Sequence, residues 1–205
     1  MTDSPWKAAG DRQSEREAKR IAVLTVAAQA FNETGYHATS LDDIARRLNV
    51  SKPTIYYYVK NKEEILFECA RMGLELMEEA ANEVIGSGGS VYDELIAVMH
   101  KYAEIVTMDF GMCLIRVGEE PLNAESRRTL RTLKRGIDAK FRSLIQRGIE
   151  AGEIVPCDAK VAAFMLAGAL SWIARWYRPD GPLTPQQIAD QHIALIMSGL
   201  RVRGG

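Results

Sequence analysis

The chain has 205 residues and a net charge of -1, with 47% hydrophobic and 26% charged residues; this is ordinary globular composition, enough for one domain or two small ones, and it excludes a disordered or fibrous chain. Cys69, Cys113 and Cys157 are odd in number and far apart, which fits neither a secreted disulfide framework nor a cysteine metal site. The polar start lacks the apolar core of a leader and the longest apolar run, 161–173, is too short to span a membrane, so the expectation is a reduced, cytoplasmic protein with no cofactor, no metal and no membrane.

Residues 1–13 read as a polar, mobile arm. Helical periodicity then puts Ile21, Leu24, Ala27, Ala28 and Phe31 on one face, and Gly35 ends that helix. Ser40 caps a short second helix, with Asp42 and Asp43 in the first turn where the helix dipole favours acids. It stops near Leu48 and Asn49. Ser51 caps a third helix, with Pro53 in the first turn where no amide hydrogen is needed. Asn61 caps a long fourth, whose apolar stripe of Ile65, Leu66, Cys69, Met72, Leu76 and Ala80 runs on until glycines 86, 88 and 89 break it. Further helices are expected over 90–108, 111–119, 123–152, 158–177 and 184–200, the longest with Leu130, Leu133, Ile137, Phe141, Leu144 and Ile149 inward. No segment alternates as a strand does. The fold class is therefore all-α, with about nine helices.

The segment 41–58 carries the chemistry. Leu41, Ile44, Ala45 and Leu48 face one way, and Ala45 is small enough for a second helix to cross closely. Asn49 stands where the turn needs a left-handed residue, which Asn tolerates better than most. Val50 and Ile55 plug the angle between the two helices. This is the logic of a helix-turn-helix, in which a scaffold helix presents a recognition helix to the major groove. A generic helical hairpin shares the apolar pattern, but it has no reason to load its outer face with Lys52, Thr54, Tyr57 and Tyr58. From residue 46 to 62 there are Arg46, Arg47, Lys52, Lys60 and Lys62 and no acid. A compact DNA-contact surface needs such a patch, although a solvated helix face explains the same charges.

Three stretches, Ala38-Thr39-Ser40, Ile44-Ala45 and Lys52-Pro-Thr-Ile-Tyr-Tyr-Tyr-Val-Lys-Asn-Lys-Glu-Glu-Ile-Leu66, make the chain resemble the TetR family of bacterial regulators over about residues 21–66. The resemblance implies phosphate contacts by Lys62 and Tyr56, and hydroxyls of Thr39 and Ser40 offered to phosphate at a helix N-terminus. It implies that Lys52, Pro53 and Thr54 face base edges, and that Tyr57 and Tyr58 lie at the groove edge. Tyr58 stands where the family commonly has His, and Asn49 where it commonly has Gly. The first substitution bears on base preference, the second only on backbone strain. Packing against the first helix is the alternative role for Tyr56.

Nothing after Leu66 reads as catalytic. His37, His100 and His192 are scattered without metal-ligand spacing, and no enzyme is expected. The resemblance assigns 67–205 to effector binding and dimerisation, and 14–66 to DNA binding. Met99, Met108, Met112 and Cys113 are soft residues that suit either plain core or a pocket lining. The stretch 171–187, with Trp172, Arg175, Trp176 and Arg178, resembles a subgroup of TetR-type regulators of lipid, steroid-ring or aromatic-acid breakdown that respond to acyl-CoA thioesters. Aromatic and Arg side chains there suit a CoA adenine and its phosphates, and they equally suit a dimer interface. Basic residues 127, 128, 131, 134 and 135 are either phosphate contacts or a solvated face. Candidate ligand contacts are thus Met108, Met112, Cys113, Trp172, Arg175 and Trp176. Leu166, Ala169, Leu170, Ile173, Ile193, Leu195, Ile196 and Leu200 are expected to form the dimer interface. The resulting expectation is a homodimeric repressor on a palindromic operator in double-stranded DNA, released by a small molecule of the acyl-CoA class.

Overall fold

In the computed structural model, residues 12–198 are described; residues 1–11 of the expected arm and Leu200 of the expected dimer interface lie outside them. The described residues form nine α-helices: α1 (Arg12–Thr34), α2 (Leu41–Leu48), α3 (Lys52–Tyr58), α4 (Lys62–Val84), α5 (Val91–Thr107), α6 (Asp109–Val117), α7 (Ala124–Glu150), α8 (Ala159–Trp176) and α9 (Pro185–Met197). The caps explain most of these boundaries. Ser40 and Asp43 form a reciprocal capping box on α2, while Asn61, Ser90, Asn123, Asp158 and Thr184 each accept a first-turn amide with the side chain. The exceptions are Met108 before α6, which has no capping group, and Ser51, whose hydroxyl pairs with Thr54 Oγ1 at 2.8 Å and makes no capping bond.

α1 to α3 with the start of α4 make a small head. α4 then continues unbroken past residue 66 into a bundle, where it packs on α5, α6 and α7. α5 lies against α7, α8 and α9, and α1 leans on α6, joining head to bundle. A continuous apolar core runs from Leu24, Phe31, Ile44 and Ile55 through Ile65 and Leu66 to Phe141 and Leu144.

The fourth helix differs from its expected stripe. Leu76 is exposed and Met72 and Ala80 are only half-buried, while Gly73, Leu74, Met77 and Ala81 face inward. The reason is a change of neighbour along one helix. Cys69 meets Leu24 of α1, Gly73 meets the start of α6, and Glu78 pairs with Lys140 of α7, so the buried face rotates. Ile21 is likewise exposed, at the outer end of the first stripe.

Two contacts join the layers closely. A Cβ on Gly73 would lie 3.0 Å from the Phe110 carbonyl oxygen, so α4 and α6 touch backbone to backbone. A Cβ on Gly111 would lie 2.1 Å from Ile105 O, so only glycine lets α6 fold back on the last turn of α5. Arg116 of α6 then donates to three carbonyls: Asn32 of α1 at 3.1 Å, Ala174 of α8 at 2.7 Å and Tyr177 at 2.8 Å.

Candidate functional site

The head presents α3 on its outer surface. Ile44 and Ile55 are fully buried where α2 and α3 cross, and Ala45 has the close approach that its small side chain permits. Asn49 adopts φ 55° and ψ 44°, and its amide closes onto Ala45 and Arg46 carbonyls. Asn49 is the only non-glycine residue with positive φ among those described, and it occupies the left-handed position the turn requires. With the corner fixed in this way, Lys52, Pro53, Tyr56 and Tyr57 project outward, Tyr57 being 64% exposed. Tyr58 is half-buried and meets the Tyr57 ring edge-on at 5.0 Å. Thr54 is half-buried behind its bond to Ser51.

The basic patch is held by internal partners. Lys52 donates to Asp42 at 2.7 Å, Arg46 to Asp43 at 2.9 Å, and Arg47 pairs with Glu33 at 2.8 Å. The Lys52 ammonium is held above its ordinary pKa by the Asp42 hydrogen bond, and the Asp43 carboxyl is lowered to about 2, chiefly by its bonds to Ser40. Lys62 reaches under the head. Its ammonium donates to the Tyr36 carbonyl at 2.8 Å and the Thr39 carbonyl at 3.0 Å, and lies 4.3 Å from the Tyr36 ring centroid. Two of its three donors thus pin the loop before α2 to α4, leaving one for an outside acceptor.

Ser40 is exposed and its hydroxyl belongs to the capping box. Thr39 departs from the expectation of a hydroxyl offered outward. It is 3% exposed, and its Oγ1 bonds to Gly35 O at 2.9 Å and to Thr34 Oγ1 at 2.9 Å, because the corner between α1 and α2 needs those carbonyl and hydroxyl groups satisfied. One basic residue on this surface was missed in sequence. Arg16 of α1 lies 5.3 Å from the Tyr57 ring centroid, beside a cleft of about 380 Å³ that also includes Arg20 and Lys60. Nothing local in the sequence couples positions forty residues apart.

A second feature lies in the bundle. A cavity of about 240 Å³ opens between α7 and α8, walled by Leu74 and Met77 of α4, Leu114 and Ile115 of α6, and Ile137 and Phe141 of α7. Tyr102 of α5 and Ser171 of α8 also line it, their hydroxyls 2.8 Å apart. Lys134, Asp138 and the exposed Phe164 stand at its mouth.

Residues 23–69 match the model of bacterial regulatory proteins of the tetR family, and residues 88–200 match the tetracyclin repressor-like C-terminal domain. The chain belongs to the TetR family. It is similar to the HTH-type transcriptional repressor KstR2 of Mycobacterium tuberculosis, with 26% identity over 91% of this chain and 94% of that one. Among solved structures it resembles the TetR-family regulator PfmR of Thermus thermophilus, with 30% identity, a TM-score of 0.80, and 88% and 99% of the two chains covered. It also resembles AibR in complex with isovaleryl coenzyme A and operator DNA, with 28% identity, a TM-score of 0.76, and 86% and 97% covered. The all-α TetR architecture and its helix-turn-helix identify a DNA-binding transcriptional regulator, and no helix among the described residues is long and apolar enough to cross a membrane.

For a TetR-family chain, the bundle residues fall differently from their sequence assignment. The six candidate ligand residues do not meet around the cavity. Met112 and Cys113 are closed core between α4 and α6, and Met108 is the exposed residue that joins α5 to α6. Trp172 is exposed, Trp176 stacks on His192 at 5.7 Å, and Arg175 donates to the Arg116 carbonyl at 3.1 Å. The expected dimer residues divide as well. Leu166, Leu170 and Ile173 are buried within the protomer because α8 packs on α5, α6 and α7, and Ile193 is buried because α9 packs on α5. The face of α8 left outward is instead Val161, Met165, Gly168 and Trp172, with Leu195 of α9, 77% exposed, beside it.

Proposed function

We propose that this TetR-family regulator is a homodimeric repressor that binds a palindromic operator and is released by an acyl-CoA thioester seated in the bundle cavity. The observation that carries this reading is the position of the cavity directly behind α6, the helix that also grips α1 of the head through Arg116. A ligand that favours one arrangement of α6 thereby biases the head. Dimerisation is supported by the apolar outward stripe of α8, since exposed patches of this kind mark association surfaces. Two recognition helices must lie ~34–36 Å apart to enter successive major grooves, and a change in that spacing ends binding.

The acyl-CoA assignment is supported by the mouth of the cavity. Its walls suit an apolar group, its opening lets a large remainder stay outside, and Lys134 of α7 lines it, paired to Glu119, which also pairs with Arg131. A CoA ester needs that combination of buried acyl group and basic surface. The mycobacterial relative named a repressor and the regulator crystallised with isovaleryl coenzyme A add weight by likeness. The test is a mobility-shift assay on the DNA upstream of its own gene, titrated with CoA esters and the matching free acids. Retarded DNA released by esters supports the reading; release by free acids alone ends the acyl-CoA assignment, and no specific DNA complex ends the repressor.

A further inference from the structure

We propose that the Tyr102–Ser171 hydroxyl pair is the specificity element of the bundle cavity, selecting a compact apolar group that carries one neutral carbonyl oxygen and rejecting carboxylates and long chains. The inference rests on the reading that the effector enters this cavity.

The walls supply little else that is polar. Nine of the lining residues are apolar, and the remaining four are Tyr102, Ser171, Lys134 and Asp138. The two charged ones stand at the mouth with their charges already met, Lys134 by Glu119 at 2.6 Å and Asp138 by Arg142 at 3.1 Å. Deeper in, the hydroxyls of Tyr102 and Ser171 face one another at 2.8 Å across α5 and α8. Each hydroxyl has one hydrogen to donate. Their mutual bond uses one, so the pair retains one donor, which bonds to no other group among the described residues. A ligand carbonyl completes it.

The orientation is fixed in advance. The Tyr102 ring meets Phe141 edge-on, 5.8 Å between centroids and 77° between planes, which holds the phenol where it is. Burial raises the pKa of this phenol, against a smaller opposite effect of the Ser171 bond, so it donates as a neutral group. The same apolar surroundings penalise a carboxylate, which would have no unpaired cation among the lining residues. Size acts in the same direction. At about 240 Å³ the cavity is smaller than the ~300–1,000 Å³ of typical drug-sized sites.

The experiment measures binding to the full chain by calorimetry, for the native protein, Tyr102→Phe, Ser171→Ala and the double variant. The probes are hexanoyl-CoA, its thioether S-hexyl-CoA, hexadecanoyl-CoA, methyl hexanoate and hexanoate. Native protein is expected to bind hexanoyl-CoA about tenfold tighter than the thioether, the worth of one buried hydrogen bond. That ratio should fall towards one in the double variant, while the thioether's own affinity moves little. A ratio that survives both substitutions overturns the proposal, as does hexanoate binding as well as methyl hexanoate, or hexadecanoyl-CoA binding tighter than hexanoyl-CoA. CoA esters that release operator regardless of Tyr102 and Ser171 overturn this inference and leave the acyl-CoA reading standing. Methyl hexanoate binding that depends on Tyr102, with no binding of CoA esters, does the reverse. Failure of every probe to bind overturns both.

Discussion

Replacing Arg116 by Met should both destabilise the chain and weaken the link between effector and operator. The guanidinium closes three carbonyls from two other helices, and Arg175 braces its own carbonyl from outside. Its pKa is lowered by burial first and by the nearby Arg175 charge second, so some desolvation cost already offsets these bonds. Hydrogen bonds to a charged group contribute roughly 1.5–3 kcal/mol each, but three do not simply add. Arg116 is half-buried beside an open cleft of about 520 Å³, so water can reach the freed carbonyls at the ends of α1 and α8. A net loss of about 2–4 kcal/mol follows, which for a domain of this size lowers Tm by about 4–16 °C. Arg116→Lys should fall between, because one ammonium cannot span three carbonyls held by a planar fork. The assay is thermal unfolding at one fixed protein concentration, paired with operator titrations with and without effector. A Met variant that melts within about 2 °C of native protein, below the smallest shift expected, or whose effector-induced release is unaltered, refutes the reasoning.

Other outcomes follow from the same contacts. Lys52→Ala should weaken the true operator by about tenfold or more while leaving random DNA little changed, and Asp42→Asn, which removes the carboxylate charge that Lys52 pairs with, should raise affinity for DNA; equal losses on both DNAs would show that Lys52 does not read bases. Lys62→Ala should lower affinity on all sequences and flatten the log–log salt dependence by about 0.9. It should also lower Tm, because the Tyr36 and Thr39 carbonyls lose their donor; an unchanged salt slope removes Lys62 from the phosphate contacts. Asp43 has a depressed pKa, so its contribution to α2 is complete above the unfolded value of ~3.9 and is lost as pH falls through about 2; NMR titration should give that low midpoint, moving up in Ser40→Ala. Trp172→Glu places a charge on the outward stripe of α8 and should yield monomers by sedimentation at micromolar concentration, where a persisting dimer would locate the interface elsewhere.

The helix ends were legible because their signals are local. Ser40, Asn61, Asn123, Asp158 and Thr184 each cap within three residues of themselves, and Asn49 is left-handed for reasons contained in its own side chain. The outward face of α3 was legible too, since α3 is short and its only fully buried side chain, Ile55, sets which way Tyr56 and Tyr57 point. The cavity was not, because Tyr102 and Ser171 are 69 positions apart and meet only through the packing of α5 on α8. The outward face of α8 was hidden for another reason. That helix is apolar nearly all round, so periodicity cannot tell Leu166 and Leu170, which serve the core, from Met165 and Trp172, which do not. Thr39 was misplaced because the same hydroxyl suits a phosphate or a backbone carbonyl, and only the path of the 35–39 loop decides between them.

The bare contact between α4 and α6 has a mechanical consequence. Side chains between two helices act as a cushion, since rotamers yield and small shifts of one helix die out before the other feels them. At Gly73 there is no cushion, only main chain against main chain. At Gly111 the turn into α6 is equally tight against α5. A displacement of α6 therefore presses directly on α4, whose first residue, Lys62, holds the loop before α2. Two missing methyl groups thus leave this linkage less play than a layer of side chains would, as backlash is reduced in a gear train.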